Sequence, residues 1–157
     1  AEVILHEYGH AIHFSQNFSF ATEEAGAISE GFGDYWAVTV SSLVAPTPDP
    51  ACVADWDSVE YTRAPHCLRR VDTNLRYPQD LRGEVHWDGQ IWSRALWDIR
   101  QAVGHVKADT LILQAQFDFP GTSMRDLATA TVNTAKALYG NGVAQQVRSA
   151  FVNRGLQ

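Results

Sequence analysis

Along much of the chain, apolar positions recur at helical spacing and strictly alternating runs are scarce, so the pattern predicts a mainly α protein. Residues 3 to about 14 carry no proline and one glycine, Gly9, and read as a helix. Residues 15–22 are rich in Ser, Asn and Phe and read as a loop. A second helix is expected from Thr22, with Glu23 and Glu24 in the first turn where the helix dipole favours acids. It runs through Tyr35, Trp36 and Val40 to about Val44 despite Gly26, Gly31 and Gly33. A mid-helix glycine costs up to ~1 kcal/mol, so close packing against another element is the expected compensation.

Residues 45–84 hold five of the six prolines and both cysteines, and read as one long irregular connection. A loop of that length in a compact domain is usually functional. Four further helices are expected over about 85–103, 108–117, 123–139 and 142–153, with Ser123 as a cap and Gly140 and Gly155 as stops. Leu127, Ala130, Thr131, Thr134 and Leu138 read as core positions. The expectation is a single domain over 1–157, built of about six helices with little or no β structure.

Composition sharpens this picture. The chain has 157 residues, 45% of them hydrophobic, which is enough for a sizeable core. Twelve Lys and Arg stand against eighteen Asp and Glu, for a formal charge of −6. The charge is uneven: residues 1–62 carry ten acids and neither Lys nor Arg. An acidic first third argues against nucleic acid or an anionic membrane surface as partner, and suits a cation. No apolar run approaches the ~20 residues of a membrane span, and no basic segment leads into an apolar one as in a signal peptide. Cys52 and Cys67 lie fifteen residues apart and form no CxxC pair. They read as a loop-closing disulfide of a secreted, extracellular or periplasmic protein, with two unpaired cytosolic thiols as the alternative.

The chemistry is concentrated in His6-Glu7-Tyr8-Gly9-His10. On a helix, positions i and i+4 are about 40° apart and one turn removed, so both imidazoles leave one face. Two such His can take two corners of a tetrahedral zinc site, with Glu7 placed to act on a water. A catalytic site needs a third protein ligand and an open position. A metzincin would have His six residues beyond His10, where this chain has Gln16. His13 lies near the same stripe and reads as a polar residue at the helix edge rather than a ligand. Glu30, twenty residues after His10, is the carboxylate solution. Asp34, one turn further, would face the same way and could orient an imidazole by accepting from its other nitrogen.

His-Glu-x-x-His followed by Glu30-Gly31-Phe32-Gly33-Asp34 resembles the gluzincin metallopeptidases, with thermolysin-like spacing and a fungalysin-like flavour. The resemblance implies one zinc ion on His6, His10 and Glu30, with Glu7 as general base. It also reaches Gly83-Glu84-Val85-His86, where His86 takes the role of oxyanion donor and Asp80 that of its orienting partner. An Arg after an apolar residue, in Leu68-Arg69-Arg70, would hold the substrate carbonyl, with Arg69 preferred and Arg70 the alternative. Val3 and Leu68 match positions lining the pocket beyond the scissile bond, which implies a hydrophobic preference on the leaving amino side. Relatives commonly carry a Tyr eleven residues after the second His as a further oxyanion donor; here that residue is Ala21, beside Phe20.

The function expected is a zinc endopeptidase acting on polypeptide substrate. A zinc-binding but non-catalytic remnant or scaffold domain is the rival, and a purely structural helical domain the third reading. The Asp-rich stretch 49–57 offers oxygen ligands for calcium, but its spacing matches no EF-hand loop and no calcium site is assigned. Relatives precede the zinc helix with a β-rich domain, so the chain reads as the helical C-terminal half of a peptidase, with that domain as an expected partner.

Overall fold

The computed structural model describes residues 1–16, 21–117, 119 and 123–157. Half of the loop expected over 15–22, residues 17–20, therefore lies outside the described residues, Phe20 with it. In chain order the elements are α1 (Glu2–Ser15), α2 (Glu23–Val44), β1 (Cys52–Val53), a 3-10 turn (Ser58–Glu60), β2 (Arg69–Arg70), α3 (Val85–Val103), α4 (His105–Gln116) and α5 (Met124–Asn153). The fold is mainly α.

Helix α2 is the centre, packed on α1 along one side and on α3 along the other, and α3 in turn carries α4 and α5. Its glycines explain themselves at these two crossings. A Cβ on Gly9 would lie 2.9 Å from Gly33 Cα, and one on Gly33 would lie 2.8 Å from the His6 ring. Across α2 and α3, a Cβ on Gly31 would overlap the Gly89 carbonyl, and one on Gly89 would lie 2.9 Å from the Gly31 nitrogen. The loss of helix propensity is thus exchanged for backbone contact at the site.

The main core gathers Ile28, Phe32, Tyr35, Trp92, Leu96 and Phe151, all but inaccessible to solvent. Trp92 and Phe151 stack with centroids 5.4 Å apart. A smaller cluster of Val38, Val53, Val71 and Trp97, with Val3 and Leu68 against it, seats the two short strands beside α2. The strands pair antiparallel, Cys52 opposite Arg70 and Val53 opposite Arg69. Cys52 and Cys67 are joined as a disulfide, which decides against free thiols.

Two details differ from expectation, the start of α4 and the exposure of Leu138. Helix α4 starts at His105 rather than at 108, because Gly104 at φ 81° breaks α3 and serves directly as its N-cap. Within α5, Gly140 is non-helical at φ 81° and ψ −178°, so the stop expected there divides the element into two helices. Leu138 is 46% exposed, whereas Leu127 and Thr131 are buried as expected and are joined there by Ala128, Val132 and Ala135. Ser123 caps α5 as expected, accepting from the Asp126 N–H at 3.1 Å. No described helix is long and apolar enough to cross a membrane.

Candidate metal centre

Helix α1 presents His6 and His10 one turn apart, with ring centroids 4.9 Å apart. Glu30 approaches from α2, its Oε2 3.2 Å from His6 Nε2 and its Oε1 3.5 Å from His10 Nε2. One ligand atom from each residue lies within 4.8 Å of the other two. The Gly9–Gly33 contact sets this approach, because side chains there would push the two helices apart. Among the described residues a second group of potential ligands, Asp49, Cys52 and Cys67, is occupied otherwise: both sulfurs are in the disulfide and Asp49 binds Arg70.

Each His is held from behind, by different chemistry. His6 Nδ1 lies 2.9 Å from Asp34 Oδ1. Arg69 from β2 donates to the same carboxylate through Nε at 2.6 Å and Nη2 at 2.7 Å. Asp34 is all but completely buried; burial opposes its charge, but the hydrogen bonds from Arg69 and His6 overcome this and hold its pKa below the usual carboxylate range. His10 Nδ1 instead lies 2.7 Å from Ser29 Oγ, and the same oxygen is 3.1 Å from His13 Nδ1. His13 is fully buried, not at the helix edge, and stacks on Phe32 with centroids 4.4 Å apart. Burial pushes its pKa down to about 3, so the ring is neutral.

The donor set has the electrostatics of a cation site. Burial opposes charge on His6, yet Asp34 and Glu30 together raise its pKa to about 9. Burial likewise opposes ionisation of Glu30, but His6 above all stabilises the carboxylate and its pKa falls. For His10, burial dominates and the pKa is lowered. Glu30 Oε2 is buried and makes no regular hydrogen bond among the described residues. With Asp34 accepting at His6 Nδ1, the Nε2 lone pair and this oxygen face one another across a gap that a proton or a metal cation can fill. Two imidazoles and a carboxylate are a donor set suited to zinc.

His86, at the start of α3, brings Nε2 to 3.4 Å from Glu30 Oε2. Asp80 does not orient it: that carboxylate accepts from the Arg76 N–H at 2.8 Å, where it closes a turn. Glu84 takes the position instead, 2.7 Å from His86 Nδ1, while also accepting from the N–H groups of His86 and Trp87 as the N-cap of α3. The His86 N–H first, then its ring, lower the Glu84 pKa to about 2. Asp88 fastens the preceding loop by accepting from Arg82 and Gly83 N–H at 2.8 and 3.0 Å. The sequence signal for Glu84 is an acid two residues before His86 at a helix start, whereas Asp80 sits one residue off the spacing of the resemblance.

Of the two candidate arginines only Arg69 reaches the site. Arg70, its neighbour on the two-residue strand, points the other way, to Asp49 and Asp72 at 2.7–2.9 Å. A cavity of about 140 Å³ is lined by Val3, His6, Glu7, Leu68, Arg69 and His86. A larger apolar hollow, about 550 Å³, lies beyond His10 against Phe14, Gly26 and Val85. Ala21 is exposed and brings no donor.

A model of the fungalysin metallopeptidase family (M36) matches residues 1–147. A gelatinase of Enterococcus faecalis (strain ATCC 700802 / V583) is 24% identical over 172 aligned positions, which cover 99% of this chain and 33% of that protein. The chain thus spans about a third of the length of that relative.

Proposed function

The chain belongs to the fungalysin metallopeptidases, and from that membership and the donor set at the α1–α2 crossing we propose that it acts as a zinc-dependent endopeptidase. The observation that carries the reading is the meeting of His6, His10 and Glu30 ligand atoms within 4.8 Å of one another, with Glu7 on the same helix opening onto the adjoining cavity. Bound there, zinc supplies Lewis acidity toward a peptide carbonyl and lowers the pKa of a water towards ~7. Glu7 takes a proton from the attacking water and hands it to the leaving amine. His86 donates through Nε2 to the oxyanion, its ring set by Glu84. Arg69 spends two of its five N–H donors on Asp34 and keeps the others for a substrate carbonyl. Val3 and Leu68 give the cavity an apolar wall, which supports a hydrophobic residue on the leaving amino side.

The disulfide supports secretion into an oxidising compartment. A β-rich domain packed on α1 belongs to the same proposal. Ile4, Tyr8 and Phe14 are 75%, 59% and 81% exposed, an apolar face of the kind that marks an interface.

The test is casein hydrolysis with metal content measured in parallel. Glu7→Gln should retain one zinc per chain and lose activity by about 10²–10⁴-fold. Undiminished hydrolysis in that variant would remove Glu7 from the mechanism. The rival, a zinc-binding remnant without catalysis, draws on Ala21 standing where relatives have an oxyanion donor, a loss worth about 10²–10³ in rate. Stoichiometric zinc with no hydrolysis of any denatured substrate would favour it.

A further inference from the structure

We propose that the disulfide-closed loop 53–66 is a recognition wall for a basic side chain of the polypeptide substrate, on the leaving amino side of the scissile bond; the inference rests on the endopeptidase reading above. The loop starts at the cleft. Val53 and Ala54 line the same cavity of about 140 Å³ as Glu7, Leu68 and His86. Ala54 adopts φ 52°, and its N–H donates to the Glu2 carboxylate of α1 at 2.5 Å, so the chain turns there in a fixed conformation. Trp56 follows two residues later, at most about 7 Å along the chain. At the far end of the loop Cys67 is bonded to Cys52, and the Leu68 N–H donates to the Val53 carbonyl at 2.9 Å.

Between these anchors the loop is held, yet it shows large side chains to water. Ser58 is fully buried, and its carbonyl accepts from the Tyr61 and Thr62 N–H groups at 3.1 and 2.9 Å. Trp56, Val59 and Tyr61 are each more than half exposed, an apolar patch within six residues of chain. Aromatic rings displayed on a pinned loop mark a binding surface. The Tyr61 hydroxyl donates to the Asp57 carboxylate, which raises the pKa of the phenol; Arg69 opposes that rise, so the pair stands near the guanidinium of the cavity wall. Charge then chooses the occupant. Glu2, Asp55, Asp57 and Glu60 carry the surplus acidity of the first third to this wall, Arg63 is the one Lys or Arg of the loop, and Arg69 is neutralised by Asp34. A Lys or Arg side chain gains from both features, laying its cation on an aromatic face and facing carboxylates. An acidic side chain meets repulsion instead.

Two peptides test the wall, identical but for Arg or Glu at the second position after the scissile bond, with Leu at the first. With the zinc-loaded chain, kcat/KM should favour the Arg peptide by about 3–10-fold, the size expected of exposed cation–π and ionic contacts. The same order should appear in the Kd of labelled peptides for zinc-loaded Glu7→Gln, read by fluorescence anisotropy. Trp56→Ala and Asp57→Asn should each bring the ratio most of the way to unity. Should Asp57→Asn disturb the loop by freeing Tyr61, Glu60→Gln lowers the charge with that bond in place and should move the ratio in the same direction. No preference for Arg in the wild type, or a preference that survives Trp56→Ala and Asp57→Asn, would overturn the wall. A binding preference in Glu7→Gln with no hydrolysis by the wild type would uphold it while overturning the endopeptidase reading. Hydrolysis of both peptides at equal rates would do the reverse.

Discussion

The two sides of the donor set solve one problem with opposite chemistry. Behind His6 stands a buried charged chain, Asp34 and Arg69, joined by two hydrogen bonds of 2.6–2.7 Å. Behind His10 stands a neutral chain, Ser29 and His13, with no formal charge. The first side links α1, α2 and β2, so the site and the strand pair are tied together by an ion pair. The second links α1 to α2 through a single hydroxyl. Charge gives a stronger tether and raises the proton affinity of His6; on the other side burial lowers the His10 pKa. The difference teaches that stability is concentrated on the His6 side, while the His10 side serves mainly orientation.

The sharpest way to break this asymmetry is Asp34→Ala, which strands the Arg69 guanidinium beside the site. Removing one partner of a buried pair typically costs about 3–5 kcal/mol. Urea unfolding of the metal-free chain should show a loss of that size, against less than about 1.5 kcal/mol for Ser29→Ala. Equal losses in the two variants would abolish the distinction.

Next in size is Gly33→Ala, whose Cβ would sit 2.8 Å from the His6 ring. Overpacking at such a contact costs about 1–3 kcal/mol, and weaker zinc binding should accompany it. A third effect isolates the neutral side by pH. His13 has a folded-state pKa of about 3, below its unfolded value of about 6.5. Its contribution is therefore complete above about pH 6.5 and lost as pH falls towards 3. His13→Phe should flatten the stability–pH curve in that window by up to about 1.4 kcal/mol per pH unit. A slope matching wild type would mean that His13 titrates normally.

The smallest effect is expected at Arg70→Gln. Arg70, Asp49 and Asp72 are partly solvated, with side chains 31%, 44% and 39% exposed. Such pairs contribute about 0–1 kcal/mol, and casein hydrolysis should be unchanged. A large loss of activity would return Arg70 to the substrate-binding candidates.

How much of this was legible in the sequence follows the range of the interactions. Local signals read well: the stretches of α1, α2 and α3, the start of α2 at Thr22, the Ser123 cap, and the meeting of His6, His10 and Glu30 all follow from helical periodicity and spacing. The glycines of α2 announced a close approach, but only the folded chain shows Gly9 and Gly89 as the partners. Groups whose partners lie elsewhere in the chain are harder to place. His13 looked like an edge residue because Ser29, Phe32 and Gln116, which surround it, come from other elements. Arg69 and Arg70 are indistinguishable by composition, and strand alternation alone sends one to Asp34 and the other to Asp49. Asp80 and Glu84 differ by one turn of irregular chain, where periodicity gives no register.

The central claim, one zinc held by His6, His10 and Glu30, is tested most directly by the zinc K-edge absorption spectrum of the zinc-loaded chain. The account predicts two imidazole nitrogens at about 2.0–2.1 Å and carboxylate and water oxygens at about 2.0–2.2 Å, with no sulfur. A six-oxygen shell, a sulfur shell near about 2.3 Å, or a spectrum unchanged in His10→Ala would contradict it.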